Sequence, residues 1–95
     1  MHYLYILYSK KADRYYVGET PELDNRLRLH NQHHFKKGFT KAADDWKIVL
    51  SKECGSKRPA VFLERFIKRM KSRKFIEKVC NDPTILDDIL SKKQK

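Results

Sequence analysis

The chain has 95 residues, 40% of them hydrophobic and 12% aromatic, which supports one packed domain and argues against wholesale disorder. A chain this short buries only roughly 60–65% of the surface it exposes unfolded, so a single modest core is the limit. With 22 Lys+Arg against 12 Asp+Glu, a net charge of +10 and a pI near 9.8, it carries the electrostatic footprint of a polyanion binder; the plainer reading is a basic surface with no specific partner.

Residues His2 to Tyr8 are rich in aromatic and β-branched side chains and end at the polar run Ser9 to Arg14, so they read as a strand. Tyr15 to Glu19 reads as a second, joined to the first as an antiparallel hairpin. Alternation places Tyr3, Tyr5 and Leu7 on one face and Leu4, Ile6 and Tyr8 on the other, and puts Tyr16 and Gly18 together. Gly18 removes a side chain where another backbone or a ligand must come close. Thr20 and Pro21 read as the N-cap and first position of a helix, with Glu22 and Asp24 in its first turn. Leu23, Leu27 and His30 recur at helical spacing, and Arg26 and His30 are i,i+4 neighbours.

The polar segment from Asn31 to Asp45 reads as a loop, and Trp46 to Ser51 as a third strand. Ser56 is the expected N-cap of a second helix that tolerates Pro59 in its first turn and runs to about Lys71, with Ala60, Leu63, Ile67 and Met70 as its apolar stripe. Arg73 to Val79 reads as a third helix. Thr84 to Leu90 reads as a fourth, capped by Asp82-Pro83, and the tail 91–95 is expected to be frayed. The whole chain, 1–95, is read as one domain.

Cys54 and Cys80 have no metal-ligand spacing and cannot make a disulfide framework, so idle thiols in a reducing compartment are expected. The N-terminal apolar run has no basic leader and is too short for a secretory signal or a membrane span, so a soluble cytoplasmic protein is expected. The adjacent His33 and His34 have no Cys or His partner at a zinc spacing and are not read as a metal site.

Tyr5, Tyr16, Arg26 and His30 follow one another at steps of 11, 10 and 4. Phosphodiester hydrolysis needs a base or orienting group for water, stabilisation of charge on the phosphoryl oxygens and help for the leaving alkoxide. Arginine offers a bidentate fork for phosphate, and a phenol can move a proton if its pKa of about 10 is lowered. Taken singly, these are strand aromatics, a surface charge and a helix residue; taken together they form a candidate site. Glu64 lies at the edge of the apolar stripe and is the only acid of its helix. It is either a metal ligand completed by water and substrate phosphate or a boundary residue paired with Arg65 or Lys68. Lys36, Lys37, Lys41, Lys68, Lys71 and Arg73 are the candidate nucleic-acid contacts, and KRMKSRK is the densest basic run.

The order and spacing of YLY, YVG, Arg26 and His30 resemble the GIY-YIG nuclease superfamily. The stretch WKIVLSKECGSKRPAVFLERFIKRMKSRKFIEKV is similar to its small single-domain bacterial branch. The resemblance implies an α/β (α+β) sandwich, a three-stranded antiparallel sheet flanked by helices. It implies hydrolysis of phosphodiesters with one divalent metal, Mg²⁺ or Mn²⁺. Tyr5 would be general base or its relay, Tyr16 would orient water or phosphate, and Arg26 would hold the scissile phosphate. His30 would assist proton transfer and Glu64 would bind the metal. YLY lacks the leading glycine and central isoleucine of the family triplet, Asn81 is the one candidate for a late asparagine, and no attached DNA-binding domain is read in the chain.

The sequence is therefore read as a metal-dependent endonuclease acting on DNA rather than RNA, directed by substrate structure as in repair or recombination. The alternatives are a non-catalytic nucleic-acid-binding module that keeps the fold, and a small protein whose basic face docks on an acidic partner.

Overall fold

In the computed structural model, which describes residues 1–31 and 43–93, the alternating apolar residues at the start of the chain close into a hairpin. Strands β1 (His2–Ser9) and β2 (Arg14–Thr20) pair antiparallel, with Tyr5 opposite Gly18 and Leu7 opposite Tyr16. Asp13 in the turn sits at φ 51°, a left-handed conformation that aspartate tolerates better than most side chains. Strand β3 (Lys47–Cys54) pairs antiparallel with the other side of β1, giving the order β2-β1-β3 with β1 in the centre. The register shifts between Ile6 and Leu7, whose partners are Leu50 and Ile48, so Val49 bulges out of the ladder. The sequence pattern ends this strand at Ser51. It continues because Lys52, Glu53 and Cys54 find backbone partners in Leu4, Tyr3 and His2, a property of the neighbour rather than of the residues themselves.

Among the described residues the helices are α1 (Leu23–Asn31) between β2 and β3, then α2 (Lys57–Met70), α3 (Arg73–Asn81) and α4 (Thr84–Lys93). Thr20 does not cap α1. It is the buried last residue of β2, and its hydroxyl accepts the Glu22 N–H at 3.1 Å in a local turn. The first turn of the helix hangs on the Glu22 carbonyl, which accepts the Arg26 N–H. Ser56 occupies the N-cap of α2 in an extended conformation, but its side chain makes no capping bond. Ser72 does cap α3, accepting the Phe75 N–H at 3.1 Å, and the Asp82 carboxylate accepts the Thr84 N–H at the start of α4. Helix α4 runs past Leu90 to Lys93, so Ser91 to Lys93 are helical rather than frayed, with lysines at the end where the helix dipole favours them.

The helices cover both faces of the sheet, giving the expected α+β architecture. On one face Leu4, Ile6, Val17 and Leu50 meet Ala60, Leu63 and Ile67 of α2, Val79 of α3 and Leu86 of α4. On the other, Tyr5, Leu7, Ala43 and Trp46 form a smaller cluster against which Leu23 and Leu27 of α1 pack. Two polar clamps hold this second face. The Asn31 side chain accepts the Trp46 N–H at 2.7 Å and donates to the Trp46 carbonyl at 3.1 Å, tying the end of α1 to the start of β3. The Asp45 carboxylate accepts from the Ser9 hydroxyl at 2.5 Å and the Lys11 N–H at 3.1 Å, tying the hairpin to the same point.

Candidate active site

Pairing places Tyr5 directly opposite Gly18, and the consequence is steric. A Cβ built on Gly18 would lie 2.5 Å from the Tyr5 hydroxyl oxygen and 3.0 Å from the Tyr16 ring. The close approach expected at this glycine is therefore that of the Tyr5 phenol, which crosses strand β2 over the missing side chain. Tyr5 is 2% exposed, and the centroids of the Tyr5 and Tyr16 rings are 6.2 Å apart. β2 is an edge strand, so the two phenols meet beside the rim of the sheet, between α1 on one face and α2 on the other.

Arg26 comes from α1 and Glu64 from α2, and both charges act on both phenols. Burial pushes the Tyr5 hydroxyl well above its usual pKa; Tyr16 and Glu64 add to the rise, and Arg26 opposes it. Burial also raises Tyr16, with Glu64 in the same direction and Arg26 against it. A phenol that takes up a proton from water needs a lowered pKa; these surroundings raise it, because desolvation and an anion both disfavour a phenolate. Four of the five expected site residues thus share one electrostatic environment. The fifth, His30, lies four residues after Arg26 in α1, and its side chain is outside the described residues.

Glu64 is half-buried, with 22% of its side chain exposed, and the Lys68 ammonium lies 3.7 Å from it, one helical turn along. The same ammonium sits 5.6 Å above the centre of the Tyr16 ring. A cation is thus already favoured at the carboxylate. A carboxylate beside phenol oxygens is a hard oxygen donor set of the kind that suits Mg²⁺ or Mn²⁺. No group of three or more His, Cys, Asp or Glu capable of holding a metal occurs among the described residues, so a divalent ion held at Glu64 would have one carboxylate and need water and substrate phosphate to complete its shell.

The expected nucleic-acid contacts divide. Lys68 borders the phenols, and Lys71 is the exposed C-cap of α2 at φ 48°. Arg73 has structural partners: its guanidinium donates to the Asp13 carboxylate at 2.7 Å and the Asp13 carbonyl at 3.0 Å, and it lies over the Tyr15 ring. Lys36, Lys37 and Lys41 lie outside the described residues. Asn81 is the exposed last residue of α3. Asn31, which by sequence reads as the first residue of a loop, fixes the helix that carries Arg26. An asparagine at a helix end gives no signal of a partner 15 residues away.

The family model described as the GIY-YIG catalytic domain matches residues 1–77. Among solved structures, the chain is similar to a UPF0213 protein from Bacillus halodurans determined in solution by NMR. The two are 28% identical with a TM-score of 0.54, over 84% of this chain and 82% of that one. No curated protein matches the chain at a significant level. No helix among the described residues is long and apolar enough to cross a membrane.

Proposed function

The chain belongs to the GIY-YIG nuclease family, and from that premise we propose that it is a divalent-metal-dependent endonuclease that hydrolyses DNA phosphodiester bonds. The observation that carries the reading is the convergence of Tyr5, Tyr16, Arg26 and Glu64 across the gap left by Gly18. Arg26 holds non-bridging oxygens of the scissile phosphate. Burial keeps the Tyr5 hydroxyl protonated, so Tyr5 serves the attacking water as a relay, giving up its proton as it takes one, rather than as a free base, and Tyr16 orients water or phosphate. As the water oxygen bonds to phosphorus, the bond from phosphorus to the leaving sugar oxygen breaks, and His30 assists proton transfer to that alkoxide. Glu64 would hold Mg²⁺ or Mn²⁺, which supplies charge stabilisation at the phosphate. The net charge of +10 suits a DNA partner, and the free thiols Cys54 and Cys80 suit the cytoplasm. The enzyme acts on structured DNA, as in repair or recombination.

The test is cleavage of flaps, forks, nicked duplexes and single strands with Mg²⁺ or Mn²⁺. Glu64→Ala and Tyr5→Phe should each slow cleavage about 10²–10⁴-fold while leaving salt-dependent binding in place. An intact panel, or cleavage indifferent to both substitutions, returns the protein to a non-catalytic nucleic-acid-binding module.

A further inference from the structure

Beside the phenols, between edge strand β2 and the junction of α2 with α3, lies an open cleft of about 430 Å³. Its volume falls within the range of roughly 300–1,000 Å³ typical of small-ligand sites. Val17, Ile67 and Ile76 give it an apolar floor, and Tyr16 and Lys68 belong both to it and to the candidate active site. Arg14 and Lys71 line it as well. Asp13, the one acid among its described lining residues, is paired with Arg73, and Arg14, Lys68 and Lys71 leave that lining with an excess of positive charge.

Backbone strain marks the same place. Among the described residues, the non-glycine residues with positive φ are Asp13 and Lys71, and both line this cleft. Asp13 is held by Arg73 and by the Tyr8 hydroxyl. Lys71 is different. It ends α2 in the left-handed conformation where glycine is the usual and less strained residue, and its ammonium makes no ion pair among the described residues. A lysine at a position where glycine would be less strained points to work for its charge.

We propose that this cleft is a nucleotide subsite of the nuclease site. It takes one unstacked nucleotide adjacent to the scissile phosphate, the base on the apolar floor beside Tyr16 and the flanking phosphate on Lys71 and Arg14. A base within a paired stack offers only its edge, whereas an unpaired base offers the ring face that such a floor binds. The inference rests on the nuclease reading for its register. The unstacked nucleotide has two sources, a single strand or the unpaired arm of a branched duplex.

The experiment measures anisotropy of labelled DNA on the whole chain in EDTA, so that binding is read without cleavage. The probes are a short single strand, the same strand with abasic sites, a duplex with an unpaired flap and a blunt duplex. We expect the abasic strand to bind about tenfold or more weakly than the strand with bases. Tighter binding of the flap than of the blunt duplex makes branched DNA a source; equal binding of those two restricts the source to single strands. Lys71→Gly should keep or raise the thermal midpoint, because it relieves the left-handed strain, yet weaken single-strand binding several-fold. Lys57→Ala, an equal loss of charge outside the cleft, should weaken it less. Equal binding of abasic and base-containing strands overturns the proposal, as does wild-type binding by Lys71→Gly. Cleavage without base-dependent binding removes the subsite alone, and base-dependent binding without cleavage removes the nuclease reading alone.

Discussion

The two faces of the sheet bury different chemistry. Towards α2, α3 and α4, the buried cluster among the described residues is aliphatic throughout except for Cys54. Towards α1, the buried cluster among the described residues is four, and two of those, Tyr5 and Trp46, carry polar groups that need partners. The Trp46 indole N–H donates to the Ala43 carbonyl at 3.1 Å, and the Tyr5 hydroxyl is turned across Gly18 towards Tyr16. Aliphatic burial stabilises in proportion to area and does nothing else. Burying a phenol gains less and sets a reactive group in a fixed place. The α2–α4 face supplies aliphatic packing, and the α1 face, among the described residues, buries the phenol and the indole whose polar groups need fixed places.

Substitution on the aliphatic face tests that division most strongly. Leu86 of α4 is fully buried, and Leu86→Ala removes buried methyl groups and leaves a cavity, so it should cost about 2–5 kcal/mol and lower the thermal midpoint. The molecules that remain folded should cleave at the wild-type rate with the wild-type metal requirement. A loss of activity larger than the loss of folded protein would mean that the two faces are not separable.

Gly18→Ala makes the reverse test. The added methyl group collides with the Tyr5 hydroxyl and ring, and the buried phenol has little room to yield. Overpacking of this kind costs about 1–3 kcal/mol of stability. Its larger effect should be on cleavage, about 10²-fold or more, because a misplacement of about 1 Å at a reacting group carries a penalty of that size. Urea unfolding and cleavage rates on the same preparation separate the two. A stability loss with unchanged cleavage would show that Tyr5 need not cross Gly18 to work.

The sequence carried much of this arrangement because its signals are local. Alternation in Tyr3 to Tyr8, the glycine inside the second strand and the Ala60, Leu63 and Ile67 stripe each name a face without knowledge of the partner. What it could not carry is set by partners far along the chain. Lys52 to Cys54 are strand because Leu4, Tyr3 and His2 need ladder bonds. Arg73 reads as a phosphate contact, but its donors go to Asp13, 60 residues earlier. Glu64 was placed at the stripe's edge by periodicity, yet only the packing of α2 against the sheet brings its charge to the phenols.

The smallest expected effect is the response of the α1 face to acid. Asp45 holds Ser9 and Lys11 of the hairpin at the point where β3 begins beside Trp46. The Ser9 hydroxyl bond, opposed by desolvation and aided by backbone N–H groups and Lys11, holds its carboxyl below the usual range. The folded pKa is thus below the unfolded value of about 3.9. The stabilisation is therefore complete above that value and is lost as pH falls through the folded one. Asp13, depressed by Arg73, has the same sign. Urea midpoints measured from neutral pH down to about pH 3 should fall more steeply for the wild type than for Asp45→Asn, which cannot lose a charge there. Parallel curves would mean that the clamp does not depend on the ionised carboxylate. A difference confined to acid would show that the ionised Asp45 carboxylate ties the hairpin to the start of β3.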